Sequence, residues 1–251
     1  MADIDESTAT LLPVPEPPPP PRPRPTWPAW VEILLCSGYP TQIVVGQTLI
    51  LAGITPLLPN GSLSSTFVFL LSMIDTVLLL GLIVALLWRR GERPAEVFFG
   101  GRPPLPEVGA GILSFPFVLG VMIALMLAIQ RFLPRLHNVP DNPLEGFIGA
   151  GVSLWMFFAV VIVAGGVREE LQRAFLLHRF RGDLGQPWLG LLITSLSFGM
   201  GHTLQGLDAA IITGTLGAIW GTMYLTRRGA LAGMVSHSLF NSGELLRAIL
   251  R

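Results

Sequence analysis

The positions along this chain sort into long apolar runs broken by short polar interruptions. A helix needs roughly 20 apolar residues to cross the hydrocarbon core of a bilayer. Seven runs approach that length, at about Tyr39–Leu58, Ser65–Trp88, Val108–Gln130, Phe147–Val167, Pro187–Leu204, Leu207–Thr226 and Ala230–Leu250. The first is the weakest, interrupted by Gln42, Gln47 and Pro56, and the fourth continues directly into a polar helical stretch that reaches Phe180. Upstream, Trp27, Trp30 and Glu32 give residues 27–37 the pattern of an interfacial half-helix. The predicted fold class is therefore all-α, a polytopic transmembrane helical bundle of about seven or eight spans. No period of 20–50 residues repeats, which excludes a solenoid. No matched pair of Gly/Pro-broken helices marks the inverted repeats of a transporter.

Composition agrees. Of 251 residues, 51% are hydrophobic and only 13% charged, against about 25% charged in a soluble domain. The formal net charge is zero, so no basic field points to nucleic acid. All 16 basic residues are Arg, which has no mechanistic reading. The single Cys36 excludes an intrachain disulfide and a Cys-based metal cluster. Residues 1–30 form a separate Pro-rich tail, predicted to be disordered with polyproline II character. It lacks the apolar core of a signal peptide. The chain then divides into N-terminal transmembrane helices (31–144) and a helical core (145–251) that carries the candidate chemistry.

Arginine placement orients the bundle. Arg89, Arg90, Arg93 and Arg102 follow the second run, Arg179 and Arg181 the fourth, and Arg227 and Arg228 the sixth. By the positive-inside rule these loops and the N-terminus are cytoplasmic. Arg131 and Arg135 fall on the outer side, so eight arginines stand against two. The expected setting is a multi-pass protein of the lipid bilayer, and the Arg-only composition suggests a bacterial inner membrane.

Three polar clusters interrupt the apolar helices of the core, and ionisable groups at membrane depth are a hypothesis about function. The first is Glu169-Glu170 with Arg173. Adjacent carboxylates point about 100° apart on a helix, and either lies within reach of Arg173 at i+4 or i+3. One carboxylate can be held by the guanidinium while the other faces a cavity as a general base. A solvated helix end is the bland alternative. The second cluster is Phe198 with His202, flanked by Gly199 and Gly201, which leave room for a close helix or a water. The alternative is a histidine bonded between helices. The third is His237 with Asn241, four apart on one face, a pair able to donate to one oxyanion or simply to join two helices. His202 is expected deep in its span, roughly 22 Å from Pro187, whereas His237 lies only about 10 Å past Ala230, so tilt or displacement must bring them level. Asp75 is expected to pair with an Arg or a hydroxyl, Asp208 to cap a helix, and His137 and His178 to lie in or beside loops without a catalytic role. No HExxH or GxSxG motif is present.

These residues resemble the CPBP family, the CAAX prenyl proteases and bacteriocin-processing enzymes also called Abi proteins, marked by Glu-Glu-x-x-x-Arg, Phe-x-x-x-His and His-x-x-x-Asn. Phe198/His202 and His237/Asn241 match the second and third motifs in order, and the resemblance covers about residues 145–245. The first motif departs from the pattern, because Arg173 follows the Glu pair one residue early. The resemblance implies an intramembrane endopeptidase acting on membrane-associated proteins or peptides, with CAAX-type prenylated substrates as the named example. It assigns Glu169 as the base, with Glu170 as fallback, and His202 as its partner in activating water. It assigns His237 and Asn241 to the oxyanion, Arg173 to orienting a carboxylate and Phe198 to shaping the pocket. Glu169, His202 and His237 could also hold a zinc ion with one open position, and a metal-free mechanism fits the same residues. Two other functions are weighed: a non-enzymatic membrane scaffold or bacteriocin-immunity-type protein, and a small-molecule or ion transporter.

Overall fold

The computed structural model describes residues 26–140, 147 and 154–250. Among the described residues ten α-helices follow in order: α1 (Trp27–Leu35), α2 (Tyr39–Leu51), α3 (Ser65–Arg89), α4 (Pro94–Phe99), α5 (Pro104–Phe132), α6 (Leu154–Ala159), α7 (Glu169–Gly182), α8 (Pro187–Met200), α9 (Leu207–Arg227) and α10 (Leu231–Ile249). Between α6 and α7 the chain winds as a π-helix over Val160–Arg168. Among the described residues four segments are long and apolar enough to cross a membrane: Trp27–Leu51, Ser65–Arg89, Pro104–Phe132 and Leu207–Arg227. Pro187–Met200 is a shorter apolar helix. The fold is the all-helical membrane bundle expected from the pattern, and the protein is an integral membrane protein.

Local chemistry explains where elements stop. The first predicted span ends at Leu51 rather than Leu58, because Gly53 takes a φ of +84° and Pro56 follows. Leu57 and Leu63 then form an isolated antiparallel bridge. At the other end of α2, Gly38 turns the chain with a φ of +90°. A Cβ there would lie 2.9 Å from Gln172 Nε2 and 3.2 Å from Arg168 Nη2, so a residue without a side chain lets the α1–α2 turn close over α7. Prolines occupy the first turn of α1, α2, α4, α5 and α8, where no amide donor is needed. The part of the predicted fourth span before Leu154, Phe147 excepted, and most of the Pro-rich tail lie outside the described residues.

The arginine-bearing loops meet at one end of the bundle. Arg90 bonds Glu32 at 2.8 Å and Asp183 at 2.9 Å. Arg179, fully buried, bonds Glu32 and Glu92 at 2.7 Å each, and His178 reaches Glu92 at 3.2 Å. Burial opposes ionisation of Glu92, but hydrogen bonds from His178 and Arg179 prevail and hold its carboxyl down at about 2. Nearby, Arg227 bonds both oxygens of Glu107 at 2.8 Å. Beneath these ties a core of Ile33, Leu79, Ile83, Leu87, Phe175 and Leu177 joins α1, α3 and α7, and a second core joins α5 to α9 through Val118, Ile212, Leu216 and Trp220.

Candidate active site

The two glutamates separate as adjacent residues on a helix must. Glu170 is 2% exposed and points inward, where its Oε1 accepts from Arg173 and lies 2.9 Å from His237 Nδ1. Glu169 turns the other way. It has no arginine partner among the described contacts and approaches His237 Nε2 at 3.8 Å. The early Arg173 thus serves Glu170 at i+3.

Aromatic rings fix His237. Trp220 stacks on the imidazole at 3.8 Å between centroids with 15° between planes, and its indole N–H donates to Ser236 at 3.2 Å. Phe198 meets the same imidazole edge-on at 5.9 Å. Arg173 lies over the Phe198 ring at 4.7 Å, a cation–π contact that turns the guanidinium toward Glu170. Trp220 was not foreseen from sequence. The available signal was its place in the middle of an apolar helix, away from the interfaces where Trp is usual.

His202 departs from its expected place. The predicted span runs to Leu204, but α8 ends at Met200 and His202 sits in the turn that follows. The helix stops in a glycine-rich stretch, with a short 3₁₀ turn at Thr203–Gln205 and Gly206 at a φ of +120°. His202 Nδ1 donates to the Phe198 carbonyl at 2.8 Å. That carbonyl accepts only, so the hydrogen sits on Nδ1 in the neutral form of the ring, whose Nε2 is then an acceptor. The Phe198 ring touches His202 at 4.7 Å as well as His237, so one side chain bridges the depth difference that helix geometry implied.

Asn241 Nδ2 donates one hydrogen to Val161 O in the π-helix at 3.2 Å, leaving its second amide hydrogen for another acceptor. α10 packs this closely because Gly165 and Gly166 face Asn241 and Ser238, where any Cβ would collide. Glu169, His202, His237 and Asn241 all line one cavity of about 460 Å³. Its walls include the apolar Met122, Ile212 and Leu216. A smaller cavity of about 240 Å³, beside Tyr39, Gln42 and Ser197, also reaches Glu169, Phe198 and His202. Glu170 stands behind this surface and Arg173 lines only the smaller cavity.

Other charged residues resolve differently. Asp75 pairs with Arg168, as expected of a buried carboxylate in a span. Asp208 lies in the first turn of α9, one residue inside its start, with Gly206 at the N-cap position. Its Oδ2 lies 2.6 Å from His137 Nδ1 and its Oδ1 accepts from Ala209 N, and both side chains line the larger cavity. Among the described residues no three His, Cys, Asp or Glu side chains are grouped to hold a metal ion.

The fold and site define a class: a helical membrane protein with a Glu/His/Asn cluster opening onto a shared cavity. Residues 150–243 match the model of a known family, described as type II CAAX prenyl endopeptidase Rce1-like. That stretch contains Glu169, Glu170, Arg173, Phe198, His202, His237 and Asn241, and the match agrees with the CPBP resemblance drawn from the motifs. No curated protein and no solved structure matches the chain.

Proposed function

We propose that this protein is an intramembrane endopeptidase of the CAAX type, hydrolysing a peptide bond at membrane depth. The observation that carries the reading is the division of labour between adjacent carboxylates. Glu170 is committed to Arg173 and His237, whereas Glu169 faces a cavity shared with His202, His237 and Asn241. In the proposed cycle Glu169 removes a proton from water while His202 Nε2 accepts the other hydrogen and orients the oxygen. The oxygen attacks the scissile carbonyl carbon. The resulting oxyanion receives hydrogen bonds from Asn241 Nδ2 and, with Nδ1–H held by Glu170, from a protonated His237 Nε2. The proton on Glu169 then passes to the leaving nitrogen, and the C–N bond breaks to give a carboxylic acid and an amine, which exchange a proton to leave as carboxylate and ammonium. The 3.8 Å between Glu169 and His237 Nε2 is short enough for base and donor to serve two oxygens of one carbon. No step of the proposed cycle runs through a metal, because among the described residues no three His, Cys, Asp or Glu side chains are grouped to hold one. Cleavage is expected to persist after chelator treatment.

The test uses purified protein in proteoliposomes with an S-farnesylated CAAX-type peptide, cleavage being read by mass spectrometry. Cleavage by the wild type and its loss in Glu169→Gln support the reading. Unchanged cleavage in Glu169→Gln and His202→Ala sinks it.

A further inference from the structure

Asp75 and Arg168 form an ion pair at a place where charge is costly. Their side chains are 3% and 7% exposed. Asp75 lies about 15 Å along α3 from Ser65, well inside an apolar helix of 25 residues. Apolar residues of similar volume usually stabilise such a position as well or better. The pair is not even fully satisfied, for Asp75 Oδ1 is buried without a hydrogen-bond partner. Packing stability therefore does not explain it.

Its position in the chain does. Arg168 is the last residue of the π-helix, and Glu169 is the first residue of α7. A π-helix is rare and tends to occur at functional sites, and its wider winding must be returned to α register at one definite residue. Three contacts fasten that residue and the next turn, all from outside residues 150–243. Asp75 of α3 holds the Arg168 guanidinium. The Gly38 turn lies against Arg168 and Gln172. Gln172 Nε2 donates to Cys36 O at 2.9 Å. Arg168 and Glu169 both line the two cavities, so a slip at 168 would turn the Glu169 carboxylate away from His202 and His237.

We propose that Asp75 and Arg168 are positioning residues for Glu169. They act through the register of the π-to-α junction, and the N-terminal helices supply the anchor. This rests on the endopeptidase reading only for the role given to Glu169. The pair fixes where that carboxylate points.

The full-length protein is compared as wild type, Asp75→Asn, and the apolar double variant Asp75→Leu/Arg168→Met, which removes both charges together so that none is stranded. Three quantities are read on each: kcat and KM with the farnesylated peptide, thermal unfolding, and hydrogen exchange by mass spectrometry over residues 160–169. The double variant is expected to unfold within a few degrees of wild type and keep KM within about twofold. It is expected to lose kcat by roughly 10²-fold, as misplacement of a reacting group does. Exchange should rise over 160–169 and stay unchanged in α9. Asp75→Asn keeps an oxygen acceptor for Arg168 and should retain most of kcat. A double variant with wild-type kcat, or with equal loss in Asp75→Asn, overturns the proposal, as does unchanged exchange over 160–169. The exchange measurement stands without turnover, so a wild type that cleaves nothing refutes the endopeptidase reading and still leaves the junction tested.

Discussion

Two largely buried clusters, each pairing carboxylates with arginines, lie in this bundle, and they are built to different ends. At the arginine-rich end, Glu32 and Glu92 each meet two basic side chains among Arg90, His178 and Arg179. Around Glu169 the cations are committed elsewhere, Arg173 to Glu170 and Arg168 to Asp75. The first cluster satisfies its carboxylates and joins α1, α7 and the loop after α3. The second leaves one carboxylate open to a cavity. The same residue types serve as a fastener when charges are matched and, in the proposed endopeptidase, as a reagent when one is held back.

The largest way to break this contrast is to neutralise the open carboxylate. Glu169→Gln is expected to lower kcat by about 10²–10⁴-fold with thermal unfolding unchanged, measured by cleavage assay and scanning fluorimetry. At the fastener the prediction reverses. Arg179→Leu takes one of the two partners from each of Glu32 and Glu92 and should cost about 1–3 kcal/mol, seen as a lower unfolding temperature, with activity lost only as the protein unfolds. Asn241→Ala should lower kcat by roughly 10²-fold with little change in KM, the signature of a donor that acts on the oxyanion.

Acid distinguishes the clusters more gently. Glu92 has its carboxyl held at about 2 in the folded protein, against an ordinary 4.5. Its depressed value makes its contribution to stability complete above pH 4.5, and that contribution is lost as pH falls toward 2. An unfolding series should show this loss, and Glu92→Gln should flatten it. The smallest effect is expected at the exposed Arg93–Glu96 pair, 82% and 67% exposed, where Glu96→Ala should move stability by under about 1 kcal/mol.

Much of this was legible in the sequence because it is local. Apolar length gave the spans of α3, α5 and α9, and a separation of four placed His237 and Asn241 on one face of α10. The Glu169–Glu170 pair was legible as two directions, but which of them Arg173 takes depends on Phe198 and Trp220, contributed by other helices. His202 was misplaced because apolar length does not reveal that Gly199, Gly201 and Gly206 end α8 early. The π-helix was not legible, since its winding is held by Asp75, far away in sequence, and by the close approach of α10 at Gly165 and Gly166. Partners distant in the chain decided each of these points.

The stack of Trp220 on His237 gives the site an optical handle. Of the six tryptophans in the chain, Trp27, Trp30, Trp88, Trp155 and Trp188 are all exposed on the bundle surface, whereas Trp220 is 1% exposed. With those five replaced by Phe, the remaining indole would emit from beside the imidazole assigned to the oxyanion. A change in that ring's protonation, or a peptide pressing against it, would then be readable as emission intensity in the unlabelled membrane protein, before any bond is cut.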